Sequence, residues 1–175
     1  MSTAEAKATS ITTPWPKGFP ADAAGITGFA VREVAAPAEA VYRWLLRPDL
    51  HTEFYKALRG VKRVAGPGPE LAVGTRLSFF LGPLFIPPVK VVQADPQLLS
   101  VAWAGGGPGM KACHCFTVKA IDANRSVLRS EEKWVGPVAR AIGPVTKGGL
   151  QKVQTDWVEA VVKAATRYPA GPPSA

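Results

Sequence analysis

Apolar and polar residues alternate along the stretch 110–136, on both sides of the polar turn 122–125. Alternation indicates β-strands, because successive side chains of a strand point to opposite faces, and the turn predicts a hairpin. Two sets of side chains then share one mostly apolar face of this hairpin: Met110, Ala112, His114, Phe116 and Val118 on the first strand, and Leu128, Ser130, Glu132 and Trp134 on the second.

The polar members of this face are the first candidates for a functional site. His114, Ser130 and Glu132 stand among Phe, Leu and Trp side chains, and buried polar groups are costly unless they have partners. One interpretation is a lined pocket in which these groups meet a ligand. The other is structural: the three side chains satisfy one another, or face solvent at the open end of the sheet.

The rest of the pattern predicts a regular order of elements. Residues 26–34 form a first strand, and Pro37 starts a helix through AEAVYRWLLR, because proline is favoured at the first helical position. Pro48 ends that helix, and a second short helix, DLHTEFYKAL, follows with Asp49 as its N-cap. Four further strands are predicted before the hairpin: 60–65, 73–81, 89–94 and 98–104.

After Gly136 the period changes from that of a strand to that of a helix. Helical spacing begins at Val138, is interrupted by Gly143-Pro144 and Gly148-Gly149, and becomes regular afterwards. The regular part carries one apolar stripe: Leu150, Val153, Trp157, Val161, Ala164 and Tyr168. The tail PAGPPSA cannot continue this long C-terminal helix, because it contains three prolines.

This order of elements predicts an α+β domain: one strand, two short helices, six strands and one long helix. A seven-stranded, twisted antiparallel sheet wrapped round the long helix leaves space where the sheet and the helix diverge. The two short helices would close the opposite side. The architecture therefore predicts an internal hydrophobic cavity.

The composition agrees with one folded domain. The chain has 175 residues, of which 47% are hydrophobic, which supports a core over residues 25–168. We expect residues 1–24 to be extended or disordered and residues 169–175 to be a disordered tail. There is no run of about 18 apolar residues and no apolar signal region, so we predict no membrane span, no secretion and a cytoplasmic location.

The net charge of +8 raises the question of a nucleic-acid or anionic-membrane partner. The lysines and arginines are scattered, and neither an RNA-binding aromatic motif nor a helix-turn-helix pattern is present. A solvated basic surface is the better interpretation, so we predict no nucleic-acid partner. The densest basic cluster, residues 56–63, would suit an acidic partner or an anionic ligand.

Cys113 and Cys115 are the two cysteines, and both lie on the first strand of the hairpin. Residues i and i+2 of a strand are about 7 Å apart, which is at the limit of disulfide geometry. A Cys-x-Cys metal site needs two further ligands, and His114 faces the other side of the strand. We therefore expect reduced thiols, no metal and no cofactor.

Several segments resemble the START-like superfamily, also called Bet v 1-like or SRPBCC, and its bacterial polyketide cyclase/dehydrase-type members. In chain order they are VAAPAEAVYRWLLRPD, VGTRLSF, LLSVAW, HCFTV and SVLRSEEKWVGP, and they span most of residues 26–168. The resemblance implies a helix-grip fold round a hydrophobic cavity that binds lipids, sterols, polyketides or other lipophiles. It does not imply one reaction, because the superfamily includes carriers, cyclases, aromatases, hydrolases and chaperone co-activators.

The expected lining of the site comes from inward positions of the sheet. Val101 and Trp103 pair naturally with Phe116 and Trp134 as apolar lining. On the strand around Arg76, the sequence does not settle which side chains face inward. The inward set is either Arg76, Ser78 and Phe80, which we include among the ligand-binding residues, or Thr75, Leu77 and Phe79.

His114 and Glu132 lie on neighbouring strands and are expected within hydrogen-bond reach. A carboxylate that holds an imidazole makes a general base, which suits the enolisation of a ketone or the dehydration of an alcohol. Ser130 or Tyr42 would orient a carbonyl oxygen, and Arg76 would stabilise an enolate. The alternative is that the pair fixes the cavity wall or holds the polar end of a ligand.

Three functions fit these expectations. The first is a carrier or sequestering protein for a small hydrophobic molecule, and the second is a polyketide cyclase- or aromatase-type enzyme that uses His114 and Glu132. If the cavity is filled by side chains, both of these ligand hypotheses fail. The third is a protein-interaction module, which needs an exposed apolar patch. We also expect His51 to be exposed and the tryptophans Trp44 and Trp157 to be packing residues.

Overall fold

The computed structural model describes residues 11–19, 21–22 and 25–173. Its first strand, β1 (Gly25–Val34), is followed by helix α1 (Ala38–Leu45) and a short 3₁₀ helix (Pro48–Glu53). Six strands and one long helix come next: β2 (Leu58–Ala65), β3 (Arg76–Leu81), β4 (Leu84–Asp95), β5 (Ser100–Gly107), β6 (Met110–Ala120), β7 (Ser126–Val135) and α2 (Pro137–Arg167). The predicted order of elements is confirmed.

The strands form one antiparallel sheet in the order β1-β7-β6-β5-β4-β3-β2. Strand β1 pairs with the last strand, β7, so that Ile26 lies opposite Trp134. On the other side β7 pairs with β6, and this register places His114 opposite Glu132. The predicted seven-stranded antiparallel sheet and long C-terminal helix are therefore confirmed. No helix in the described residues is long and apolar enough to cross a membrane.

Two elements extend further than the sequence predicts. Strand β4 begins at Leu84, although we expected the prolines of 82–88 to keep that segment out of the sheet. The β3–β4 ladder has an irregularity between the pairs Leu77↔Val89 and Phe79↔Ile86. Pro87 and Pro88 fall within it, outside the paired positions, and a bulge is one of the places in a sheet where proline is tolerated. Helix α2, likewise, runs through Pro144 without a break.

The main core lies between the inner face of the sheet and the helices. Trp157 of α2 is at its centre, with ring centroids 5.5 Å from Phe79, 5.7 Å from Trp103 and 5.9 Å from Phe116. Helix α1 adds the buried Trp44. Large aromatic side chains bury much apolar area, so this cluster stabilises the contact between sheet and helix.

The outer face of the sheet is partly covered by residues 11–19, which contain no helix or strand. Phe19 is buried against Ala102, Cys113 and Cys115. Thr13 Oγ1 donates a hydrogen bond of 2.5 Å to a carboxylate oxygen of Glu131. Residues 11–19 therefore have an irregular backbone that packs on the sheet. Residues 1–10, 20, 23–24 and 174–175 lie outside the described part of the chain.

Candidate functional site

The inner face of the sheet has two different ends. Antiparallel pairing brings the β3–β4 turn, the end of β5, the start of β6 and the end of β7 to the same end. We call this the hairpin end, and its residues are Leu81, Leu84, Gly107, Met110 and Val135. The opposite end contains the β4–β5 turn and the end of β6.

On β4, β5 and β6 burial decreases along the inner face towards the hairpin end. Trp103 is buried, whereas the inward positions nearer that end, Ala112, Gly105 and Val89, are only half-buried. Glu132 lies at the boundary, with 17% of its side chain exposed. On these three strands the inner face is therefore open to solvent at the hairpin end, whereas helix α2 covers that end on β1 and β7. Glu132 is the ionisable group beside the open part.

A hydrogen-bonded network connects Glu132 to the core. Gln154 of α2 donates from Nε2 to Glu132 Oε2 at 2.8 Å, and Trp134 Nε1 donates to Glu132 Oε1 at 2.7 Å. Ser130 Oγ donates to Gln154 Oε1 at 2.5 Å and lies 2.7 Å from His114 Nε2. Because the single hydroxyl hydrogen of Ser130 goes to Gln154, the bond with the imidazole requires His114 Nε2 to be the donor.

His114 and Glu132 are close but do not form the expected base pair. Nδ1 of His114 lies 3.7 Å from Glu132 Oε2, beyond the length of a good hydrogen bond. Burial lowers the pKa of His114 to about 3 and raises the pKa of Glu132 to about 7, although hydrogen bonds from Trp134 and Gln154 favour the carboxylate. The imidazole is therefore neutral near pH 7, and the carboxyl group is the one that titrates there.

Aromatic rings occupy the space below this network. The imidazole of His114 stacks on Phe116 with centroids 4.3 Å apart and meets the edges of Trp103 at 5.1 Å and Trp157 at 5.3 Å. We expected an internal cavity here, and the structure does not show one. The two best-defined pockets among the described residues have volumes of about 460 and 200 Å³, and neither is lined by a residue of β5, β6, β7 or α2.

On β3, the side chains that face inward are not the set that we included in the site. Leu77 and Phe79 are buried in the main core, whereas Arg76 and Phe80 are exposed on the outer face. Ser78 is buried, but it lies in the irregularity of the β3–β4 ladder. The alternate set faces inward, because Leu77 and Phe79 bury apolar surface there without removing a charged group from water. Arg76 and Phe80 are therefore removed from the site.

The remaining candidates fall into two groups. The first group contacts the hydrogen-bonded network or the aromatic rings below it, and it consists of Trp103, Ser130, Trp134 and the stacked pair His114 and Phe116. Val101 is buried deeper in the core. Tyr42 is also buried, and burial followed by the charge of Asp95 raises its pKa. Because Asp95 ends β4, Tyr42 lies towards the opposite end of the sheet and away from Glu132.

Two residues were misjudged from the sequence. Gln154 was not among the candidates, yet it is fully buried and joins Ser130 to Glu132. Its position four residues after Leu150 and three before Trp157 places an amide on the apolar stripe, which was the available signal. His51, expected to be exposed, is buried: its Nε2 donates to the Trp44 carbonyl at 2.8 Å, and Trp157 Nε1 donates to its Nδ1 at 2.9 Å.

Comparison with solved structures identifies the fold. A hypothetical protein from Helicobacter pylori aligns with a TM-score of 0.73 and 16% identity, over 88% of this chain and 96% of that chain. An aromatase/cyclase from Streptomyces sp. R1128 has a TM-score of 0.59 and 15% identity, over 83% of this chain and 98% of that one. A START superfamily protein from Mycobacterium smegmatis has a TM-score of 0.58 and 15% identity, over the same shares.

These likenesses establish the class of fold. The chain has the α+β helix-grip fold of START-like, Bet v 1-like proteins, as its sequence resemblance implied. A scan against protein-family models and a search of curated proteins give no match. At identities this low a shared fold does not imply a shared function.

Proposed function

We propose that the protein binds a small hydrophobic molecule at the hairpin end of the inner face and acts as its carrier or sequestering protein. The observation that carries this proposal is Glu132, a partly exposed carboxyl group fixed by two donors at the edge of an otherwise apolar opening. An apolar site with a few oriented polar groups is the usual design of small-molecule sites.

The apolar part of the proposed site is made of small and half-buried side chains. Ala112, Gly105 and Val89 leave the inner face open above Trp103, and Trp134 borders Glu132 on β7. A ligand that covers these positions removes apolar surface from water, which favours binding. The aromatic rings below limit the ligand to this end of the fold, so the proposed site is shallower than the cavity that we expected.

The polar part of the proposed site recognises an oxygen atom. A carboxyl group with a pKa of about 7 exists in both forms near neutral pH. Its protonated form donates to a carbonyl oxygen, and its ionised form accepts from a hydroxyl group. Trp134 and Gln154 hold the carboxyl group in place in either form. We therefore propose a lipophile with one carbonyl or hydroxyl group as the ligand.

A fluorescence titration with the neutral lipophile N-phenyl-naphthylamine tests the proposed location. Ala112→Trp fills the opening with a large side chain, and Ala120→Trp adds the same side chain at the exposed far end of the same strand. We expect the wild type and Ala120→Trp to bind the probe, and Ala112→Trp to bind it at least tenfold more weakly. Equal binding by all three proteins would place the ligand elsewhere.

A polyketide cyclase- or aromatase-type activity is the second candidate, and the pKa of Glu132 favours it. A partly exposed carboxyl group with a pKa of about 7 is suited to proton transfer, and it takes the place of the imidazole as general acid or base. With a synthetic poly-β-ketone, cyclisation would appear as a product that has lost one water. We expect Glu132→Gln to abolish such turnover while keeping the probe bound, and equal turnover by this variant removes the candidate.

A further inference from the structure

The turn between β3 and β4 presents large apolar side chains to solvent at the hairpin end. Leu84 is 64% exposed, Phe85 56% and Phe80 41%. Phe80 and Phe85 are opposite residues in the ladder, and their ring centroids lie 5.2 Å apart. Exposed apolar side chains that lie side by side indicate an interaction site, whereas isolated ones do not.

The apolar turn projects beyond the neighbouring strand. Strand β4 pairs with β5 only from Lys90 onward, so residues 84–89 are paired with β3 alone on one side. Six residues of strand extend about 20 Å. The apolar side chains therefore stand on a projecting ribbon, which fits a deformable surface better than a preformed groove.

Exposed positive charges lie on and beside the strands that form this ribbon. Arg63 of β2 is half-buried, and the other cations on β2, β3, β4 and in the segment before β2 are exposed: Lys56, Arg59, Lys62, Arg76 and Lys90. Two of them lie beside the turn, because Gly82 N–H donates to the Ala57 carbonyl at 2.6 Å and Leu58 pairs with Leu81. Between residues 54 and 94 the sequence contains one acidic residue, Glu70.

We propose that the hairpin end docks on the surface of a lipid bilayer that contains anionic lipids. Leu84 and Phe85 enter the boundary between headgroups and acyl chains, and Lys56 and Arg59 bind the anionic headgroups. An apolar tip among positive charges matches the chemistry of that interface, which is apolar inside and negative at its surface. This docking also turns the opening beside Glu132 towards the bilayer, although it does not depend on a ligand being bound there.

Co-sedimentation with vesicles tests the apolar contact. The probes are vesicles of phosphatidylcholine alone and vesicles of phosphatidylcholine and phosphatidylserine in equal parts. We expect the wild type to bind the second kind and not the first. The Leu84→Ser, Phe85→Ser double variant should bind at least tenfold more weakly. Leu98→Ser is the matched control, because Leu98 is 52% exposed in the turn at the opposite end.

Charge reversal tests the electrostatic contact separately. Lys56→Glu, Arg59→Glu should also lose at least tenfold in binding to the anionic vesicles, whereas Lys119→Glu, at the exposed far end of β6, should not. Raising the salt from about 0.1 M to about 1 M shortens the Debye length from about 10 Å to about 3 Å, and binding of the wild type should fall with it. Circular dichroism verifies that each variant is folded.

Three results would overturn the proposal. One is a wild type that does not sediment with the anionic vesicles. Another is a double variant at Leu84 and Phe85 that binds as well as Leu98→Ser. The third is self-association of the wild type that depends on Leu84 and Phe85 without vesicle binding, measured by sedimentation velocity, because the patch would then be a contact between two copies of this chain.

Discussion

Glu132 and His114 illustrate how one environment acts on two ionisable side chains. Both lie at or below the edge of the hydrophobic core, and removal from water disfavours the charged form of each. The carboxyl group becomes a weaker acid and the imidazole a weaker base, so at neutral pH the histidine is uncharged. A site with this arrangement has one titrating group, and that group is the partly exposed one.

The raised pKa of Glu132 makes stability depend on pH in a defined direction. The folded protein holds this proton with a pKa of about 7, against an ordinary value of 4.5. The stabilisation is complete below about pH 4.5 and is lost as the pH rises through 7. Glu132→Gln cannot ionise, so we expect its unfolding free energy to rise relative to the wild type by about 3 kcal/mol between about pH 4.5 and about pH 8.

Urea unfolding of both proteins across this pH range measures the difference. The buried histidines His51 and His114 act in the opposite direction, because their lowered pKa values give stability above pH 6.5 that is lost on acidification. Both proteins contain these histidines, so their effects cancel in the comparison. Unfolding free energies that differ by a constant amount at every pH would contradict the raised pKa of Glu132.

The sequence identified part of this site at the residue scale. The alternation of β6 and β7 placed His114, Ser130 and Glu132 on one face, and the structure has them there. Gln154 was missed, because strand alternation does not tell which turn of a distant helix meets the strand. The sequence also left undecided which residues of β3 face the core. Leu77 and Ser78 are both buried, so the local pattern of polar and apolar residues does not settle it.

Helix α2 shows at the element scale how packing overrides local propensity. Glycine and proline at 143–144 and glycine at 148–149 predicted an interrupted helix, yet it runs from Pro137 to Arg167. The helix packs closely on β1 in this part, with Leu150 against Gly28 and Gly143 against Ile26. These contacts hold the weak segment in helical form, and tertiary contacts of this kind are not visible in a local pattern.

Stabilising this segment of α2 is the second prediction. A Cβ at Gly148 or Gly149 meets nothing within 4 Å, and both residues are exposed. We expect Gly148→Ala, Gly149→Ala to raise the unfolding free energy by about 1–2 kcal/mol, because alanine loses less backbone entropy than glycine in a helix. Thermal or urea unfolding measures it.

Gly28→Ala is the contrasting variant at the same helix–strand contact. Its Cβ would lie 2.9 Å from Leu150 Cγ and 3.2 Å from the backbone of Gln151, so one of the two elements has to move. We expect this variant to be less stable than the wild type. A loss of stability in the double alanine variant of α2 would show that the glycines are needed in the helix.

At the scale of the whole molecule, the sheet is covered on both faces. The helices cover most of its inner face, except at the hairpin end of β4, β5 and β6, and residues 11–19 cover part of its outer face. The order of elements and the antiparallel sheet were predictable, because each strand and helix has its own periodicity. The packing of the aromatic rings was not, because it depends on how Phe79, Trp103 and Trp157 fit together in three dimensions.

The third prediction concerns the cover on the outer face. Cys113 and Cys115 are buried beneath Phe19, and burial raises the pKa of both thiols. Phe19→Ala removes this cover, so we expect the thiols to react with a disulfide reagent at least tenfold faster than in the wild type. Phe29→Ala, at an exposed position on β1, is the matched control. Equal rates in Phe19→Ala and the wild type would show that Phe19 does not shield the thiols.

Native mass spectrometry of the freshly purified protein, followed by solvent extraction of whatever is released, is the first test of the proposal that the hairpin end of the inner face holds a small hydrophobic molecule. We expect a reproducible adduct on the wild type and on Ala120→Trp that is absent from Ala112→Trp, and an extracted lipophile with a carbonyl or hydroxyl group. An adduct that survives in Ala112→Trp, or a wild type with neither adduct nor bound N-phenyl-naphthylamine, would show that this end of the fold is not the binding site.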